Sequence, residues 1–256
     1  ILNNNHDKLV RKIDGILTLI KNEPKKFESV FTELFHEDFG KALNYINSLD
    51  SGFLKGLVIS VKDLFDVKGY KTRGGSKFLD SQIKIKDADC VALIRKSGGL
   101  LLGHTNMTEL AYSGLGINPH YGTPDNPIYK GSIPGGSTSG GAVSIALNIA
   151  DITIGTDTGG STRIPAAFTG ITGFKPTQDN ISRIGCLTLS SSLDSVGLMA
   201  KNVELCRLGY EVMKDKKKQS LKSNVKDLKF IIPSNFGFEN IEPDVESAFN
   251  SANILR

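Results

Sequence analysis

Apolar residues recur at helical spacing between residues 6 and 21, near the start of the chain. Steps of three and four residues are typical of an amphipathic helix, and the proline at position 24 ends the pattern. The same spacing predicts a second helix over Phe27–Phe35 and a third over Phe39–Ile46. We therefore expect residues 1–50 to form a helical arm at the N-terminus.

After this arm, short apolar runs alternate with helical patterns. Runs bounded by turn residues predict strands at 57–62, 100–106, 151–157 and 228–234. The helical patterns begin at Asp87, Thr138, Ser161 and Asn202. Such alternation predicts an α/β fold, with helices on both faces of a sheet. The chain carries no internal repeat or low-complexity linker, so we expect residues 1–256 to form a single domain.

The charge of the chain is nearly balanced, with 31 basic and 27 acidic residues and a net charge of +4. This balance does not favour a nucleic-acid partner, and the basic run at 214–222 is interpreted as a solvated loop. Cys90, Cys186 and Cys206 are far apart and have no zinc-binding spacing. We expect no metal, no disulfide framework and a reducing, cytoplasmic location.

Membrane and processing signals are not visible in the sequence. No apolar run reaches about 18 residues, the length of a membrane-spanning helix. The chain does not begin with methionine, and its last residues, VESAFNSANILR, have a helical pattern. We therefore expect a fragment of a longer protein.

Glycine and serine are concentrated between residues 132 and 177, where two Gly-Gly-Ser triplets end at Ser137 and Ser161. Each serine precedes a predicted helix, and the N-terminus of a helix offers unpaired N–H groups. Phosphate binding is disfavoured because GGSTSGGA lacks the Gly-Lys-Ser/Thr ending of a P-loop. A G-x-S-x-G nucleophile elbow is also absent.

A serine nucleophile needs a base, for which the chain offers histidine or lysine. The four histidines, His6, His36, His104 and His120, are interpreted as structural residues. Lys62 follows the apolar run GLVISV, where a buried lysine is costly unless the protein uses it. A surface lysine at the end of a strand is the alternative, and the pattern alone leaves both open.

The sequences PGGSTSGG, GTDTGGSTRIPAAFTGITGFKPT and VKDLFDVKG together resemble the amidase signature family. The resemblance extends over residues 56–203. It implies a fold with a central mixed β-sheet, and a catalytic triad of two serines and a lysine. Residue by residue, it assigns the nucleophile to Ser161, the bridging serine to Ser137 and the base to Lys62. It further implies a cis peptide bond between Gly136 and Ser137.

The resemblance also assigns supporting roles around the nucleophile. The backbone N–H groups of Thr158, Gly159, Gly160 and Ser161 would form the oxyanion hole. Asp157 and Arg163, which flank the nucleophile, are interpreted as residues that fix the loop carrying these N–H groups, with direct contact to the substrate as the alternative. Ser139 and Thr138 would either take part in the proton relay or cap the helix that follows.

The resemblance implies hydrolysis of a carboxylic amide through an acyl-enzyme, without a cofactor. The sequence after the predicted strand, VKDLFDVKG, is more similar to the stand-alone amidases that act on small amides. The alternative is the A subunit of a tRNA-dependent amidotransferase, which releases ammonia from glutamine and would bring in partner subunits and tRNA.

A binding or scaffold protein derived from an amidase is a third hypothesis. We expect a small-molecule amide as the partner, no membrane, and a homodimer as one possible assembly. Members of the family are much longer, so the C-terminal part of the fold is expected to be missing.

Overall fold

The computed structural model describes residues 2–79, 82–214, 231–232 and 240–254. Contacts between backbone positions divide the chain into two compact units, residues 1–218 and residues 219–256. The helices of the first unit are α1 (Leu2–Asn22), α2 (Pro24–Phe27), α3 (Phe39–Ser48), α4 (Asp89–Lys96), α5 (Ser139–Ala146), α6 (Arg163–Phe168) and α7 (Val203–Met213). The strands are β1 (Phe31–Leu34), β2 (Val58–Lys62), β3 (Leu100–Thr105), β4 (Ile152–Asp157), β5 (Thr172–Phe174) and β6 (Ser195–Ala200), and two 3-10 helices are His36–Asp38 and Glu109–Ala111.

The six strands form one mixed sheet in the order β1-β3-β2-β4-β6-β5. Strand β2 lies between β3 and β4 and is parallel to both, whereas β1, β5 and β6 run antiparallel to their neighbours. Every residue of β2, β3 and β4 is buried. Strands covered on both faces read as continuous apolar runs, which is why the sequence revealed these three.

Helices cover both faces of this sheet, as expected. On one face, Ser144 of α5 hydrogen-bonds Ser60 of β2 at 2.9 Å. On the other face, Gly209 of α7 lies against Leu198 and Ile152. The sheet is therefore the middle layer of an α/β fold, and the expected fold class is confirmed.

The predicted helix over Phe27–Phe35 is wrong. Helix α2 ends at Phe27, and residues 31–34 form β1, which pairs with the edge of β3. Buried Phe27, Phe31 and Phe35 have spacings that fit a helix as well as a turn followed by a strand. Pairing with an open sheet edge satisfies the backbone of this segment, and that tertiary contact overrides the local pattern.

Apart from the strand predicted at 228–234, the other element predictions hold with shifted ends. Helix α1 ends at Asn22, and Pro24 begins α2 instead of ending α1. Helix α5 begins at Ser139, one residue after the predicted start at Thr138, and ends at Ala146. The strand predicted at 228–234 lies almost entirely outside the described residues, and Ile231 and Ile232 are not in a strand.

The second unit contributes helix α8 (Pro243–Ile254), whose first turn carries Asp244 and Glu246. Acidic side chains at this end interact favourably with the helix dipole. In the described part of the chain, none of the helices has the length and apolarity needed to cross a membrane.

Candidate active site

Lys62 is the last residue of the central strand β2, and its side chain is completely buried. Its Nζ atom lies 2.8 Å from Oγ of Ser137 and 3.0 Å from Oγ1 of Thr156. The amine therefore lies between two hydroxyl groups at the carboxyl end of the central strand. The sequence left open whether Lys62 is a surface lysine or a buried one, and in the structure it is buried.

Burial changes the acid–base chemistry of this lysine. Removal from water lowers the pKa of Lys62 from 10.5 to about 7, although the nearby carboxylates of Asp157 and Asp194 oppose the change. Burial disfavours the charged form of an amine. A substantial fraction of Lys62 is thus neutral near pH 7, which is the form that can accept a proton.

Ser137 lies at the start of the segment that leads into α5, and it too is fully buried. The peptide bond between Gly136 and Ser137 is cis, as the resemblance implied. The carbonyl of Ser137 accepts a hydrogen bond from the N–H of Thr108 at 3.0 Å. A Cβ atom on Gly136 would lie 2.6 Å from the backbone nitrogen of Gly116, so only glycine fits there.

Ser161 follows β4 in a loop that leads into α6 and is 7% exposed. Its carbonyl accepts a hydrogen bond from the N–H of Thr138 at 3.2 Å. This bond joins the loop to the segment that carries Ser137. The Oγ atom of Ser161 has no hydrogen-bond partner among the described residues. Lys62 is therefore hydrogen-bonded directly to Ser137. Ser161 is connected to this pair through its backbone hydrogen bond to Thr138.

The loop before Ser161 presents a row of free donors. In the first compact unit as described, the N–H groups of Thr158, Gly159, Gly160 and Ser161 donate to no protein acceptor. Gly160 has a φ of +136°, a conformation open to glycine but not to residues with a Cβ atom. Four successive donors next to a serine are an arrangement that can stabilise a developing oxyanion.

Asp157 and Arg163 hold this loop in place. The Arg163 guanidinium donates to both oxygens of Asp157, at 3.0 and 2.8 Å. The backbone N–H groups of Thr162 and Arg163 also donate to Asp157. Burial acts to raise the pKa of Asp157, but the Arg163 bonds outweigh it and the pKa is lowered. Asp157 therefore stays ionised and ties both ends of the loop together.

Ser139 and Thr138 are buried at the start of α5, and neither of the two predicted alternatives is seen for their side chains. Thr138 precedes α5, but its side chain makes no capping bond. Both hydroxyl oxygens lack a hydrogen-bond partner in the part of the chain that the structure describes. They are two orphaned hydroxyls close in sequence to Ser137.

Two polar residues of this site were missed by the sequence analysis. Thr156 shares the Lys62 amine with Ser137. Asp194 accepts from Oγ1 of Thr158 at 2.5 Å and from the N–H groups of Leu189 and Ser190 at 2.9 and 3.0 Å. Its only sequence signal is an acidic residue directly before β6. Asp194 links the loop of free donors to the segment at 189–190.

The structure describes the side chains of His36, His104 and His120, and none of these three hydrogen-bonds Ser137 or Ser161 in the described part of the chain. His104 is buried and donates from Nε2 to the carbonyl of Phe65 at 3.1 Å, and burial lowers its pKa to about 3. His120 contacts Glu109 at 2.8 Å. Lysine is therefore the base that this site offers to its serines.

A cavity of about 330 Å³ opens beside Thr156 and Asp194. Apart from these two residues, its wall is largely apolar. A volume of this size falls in the range of small-molecule sites. Within the described ranges, no group of three or more histidines, cysteines or acidic residues is placed to hold a metal ion.

Comparisons with known proteins extend this picture. A family model described as Amidase matches residues 17–253. The A subunit of glutamyl-tRNA(Gln) amidotransferase from Chromohalobacter salexigens is 36% identical over 257 residues, covering 95% of this chain and 51% of that protein. The mitochondrial outer envelope protein 64 of Arabidopsis thaliana is 36% identical over 213 residues, covering 78% of this chain and 35% of that protein.

A solved structure agrees with the fold. The X-ray structure of native peptide amidase from Stenotrophomonas maltophilia matches with a TM-score of 0.73 at 28% identity, covering 81% of this chain and 45% of that one. The chain thus spans about half the length of the first curated relative and of this solved structure.

Proposed function

This chain belongs to the Amidase family, and on that premise we propose that it hydrolyses the C–N bond of a carboxylic amide. In this proposal Ser161 is the nucleophile, Ser137 relays the proton and Lys62 is the base. The observation that carries it is the 2.8 Å contact between a fully buried lysine amine and Oγ of Ser137.

The reaction begins when neutral Lys62 takes the proton of Ser137 while Ser137 takes the proton of Ser161. A neutral amine can accept from Ser137 through its lone pair and still donate to Thr156, 3.0 Å away. Oγ of Ser161 then bonds to the carbonyl carbon of the amide. The nitrogen receives the proton back through the relay, the C–N bond breaks, and ammonia or an amine leaves.

The acyl-enzyme is an ester of Ser161, which water resolves. Water attacks the ester carbonyl, the bond to Oγ breaks, and the carboxylic acid leaves. Negative charge develops on the carbonyl oxygen in both steps. The free N–H groups of Thr158, Gly159, Gly160 and Ser161 support an oxyanion site here, where one lost donor costs about 3–4 kcal/mol.

A second candidate is the release of ammonia from glutamine as the A subunit of an amidotransferase. The 36% identity to the A subunit of glutamyl-tRNA(Gln) amidotransferase favours it. Both candidates share the chemistry of the acyl-enzyme and differ in the substrate. A scaffold without catalysis is the third hypothesis, and it requires no reactive serine.

Covalent labelling of the chain by a fluorophosphonate, mapped by peptide mass spectrometry, tests this function. We expect labelling at Ser161 that Ser161→Ala abolishes and Lys62→Ala strongly slows. The rate should rise with pH to a plateau, with a midpoint near 7, because neutral Lys62 is the base. Ser29→Ala, far from the triad in sequence, controls for general effects of removing a hydroxyl. An unlabelled Ser161, or labelling indifferent to Lys62, would favour the scaffold.

A further inference from the structure

The cavity beside the triad has a wall made mainly of apolar side chains. These side chains belong to Leu64, Met107, Leu110, Tyr112, Leu187 and Leu189. Leu187 and Leu189 come from the segment before β6, and Met107 and Leu110 from the segment after β3. Leu64 comes from the segment after β2, so three separate parts of the chain build one apolar surface.

This cavity is adjacent to the proposed reacting groups. Thr156, which lines it, contacts the Lys62 amine. Asp194, which also lines it, accepts a hydrogen bond from Thr158, the first residue of the loop of free donors. An amide whose carbonyl lies at Ser161 can thus extend its acyl group into the cavity.

The charges around the cavity restrict what it can bind. Its described lining residues include no lysine, arginine or histidine, and Asp194 is the one acid among them. The Asp194 carboxylate already accepts three hydrogen bonds, from Thr158, Leu189 and Ser190. A carboxylate on the substrate would lose its water there, find no cation and lie close to a negative charge, which is unfavourable.

We infer that this cavity binds the uncharged, apolar acyl group of the substrate, such as a short aliphatic chain. This inference rests on the proposed function and deepens it. It separates the two enzymatic candidates, because the acyl group of glutamine carries an ionised ammonium and carboxylate.

Alkanesulfonyl fluorides of one to six carbons test the inference. Oγ of Ser161 bonds to sulfur, and the S–F bond breaks with loss of hydrogen fluoride. We expect the second-order rate of labelling at Ser161 to rise about fourfold per methylene until the cavity is filled, the effect expected for burying one methylene. A reagent of equal length that ends in a carboxylate should react at least about tenfold more slowly, roughly the loss expected for a buried polar group left without a partner.

A pair of variants tests the assigned wall. Leu189→Lys puts a cation on the wall while keeping the backbone N–H that donates to Asp194. It should abolish the rise with chain length and speed the carboxylate reagent. Ile184→Lys is the matched control, because Ile184 is exposed and does not line the cavity, and it should behave as the parent chain.

The outcomes separate the two proposals. Lys62-dependent labelling of Ser161 without a rise over chain length overturns the inference and leaves the amidase function standing. A Leu189→Lys chain that keeps the preference of the parent chain also overturns it. If none of the reagents labels Ser161, both proposals fail together.

Discussion

Replacing Lys62 with methionine should stabilise the fold in a pH-dependent way. The lysine is fully buried, and its pKa falls from 10.5 to about 7 on folding. The folded chain therefore holds fewer protons than the unfolded chain between these two values. By linkage, the lysine destabilises the fold fully below about pH 7, and this effect disappears as the pH rises above 10.5.

The size of this effect follows from the two pKa values. The destabilisation by Lys62 is about 5 kcal/mol at pH 6 and about 2 kcal/mol at pH 9. Methionine fills a similar volume without a charge. It removes the hydrogen bonds to Ser137 and Thr156, and the pH dependence of that loss is already contained in the two pKa values. The advantage of methionine in unfolding free energy should thus shrink by about 3 kcal/mol from pH 6 to pH 9.

Urea unfolding followed by far-ultraviolet circular dichroism measures this change, since the chain has no tryptophan to report by fluorescence. The control is Lys41→Met, which changes an exposed lysine on α3 and should show no such pH dependence. A Lys62→Met advantage that stays constant within about 1 kcal/mol from pH 6 to pH 9 would refute the reasoning. Lys62 would then keep its ordinary pKa and would not be a neutral base.

Three further predictions use the same assays. Ser137→Ala should slow labelling of Ser161 about 100-fold or more, since it removes the proton relay, and a rate within tenfold of the parent chain would contradict it. Asp194→Asn should lower the unfolding free energy by at least about 2 kcal/mol in urea titrations, because the charge that strengthens three buried hydrogen bonds is lost and one accepting oxygen becomes an NH2 donor. Gly136→Ala should destabilise the fold, since its Cβ meets backbone at 2.6 Å, whereas Gly159→Ala, with nothing within 4 Å, should leave the unfolding midpoint nearly unchanged. Equal midpoints for the two glycine variants would contradict that steric argument.

The pattern of apolar and polar residues was sufficient to predict an element where all the residues that indicate it lie in one short segment. The runs of β2, β3 and β4 were predicted because strands buried on both faces are mostly apolar along their length. Helices α1 and α3 were likewise predicted, because the apolar spacing that indicates each helix lies within that helix. The pattern failed at Phe27–Phe35, where pairing with β3 decided between helix and strand.

The candidate site shows the same division. The sequence by itself determined that Ser137 and Ser161 follow paired glycines and that Lys62 ends an apolar run. Only the tertiary structure brought Lys62 to Ser137, 75 positions away, and to Thr156, 94 positions away. It also decided the lowered pKa of Lys62, because desolvation depends on everything packed around the amine.

The role of Asp194 and the apolar cavity were likewise decided by tertiary contacts. Asp194 is one acid among many in the sequence, and its position is explained only by the three donors that meet it. The cavity wall joins the segments after β3 and before β6, which are distant in the chain. Periodicity records which face of an element is buried, whereas the partners across that face are set by how the elements pack. For this protein, the sequence therefore determined the reactive residue types, and the packing determined their chemistry.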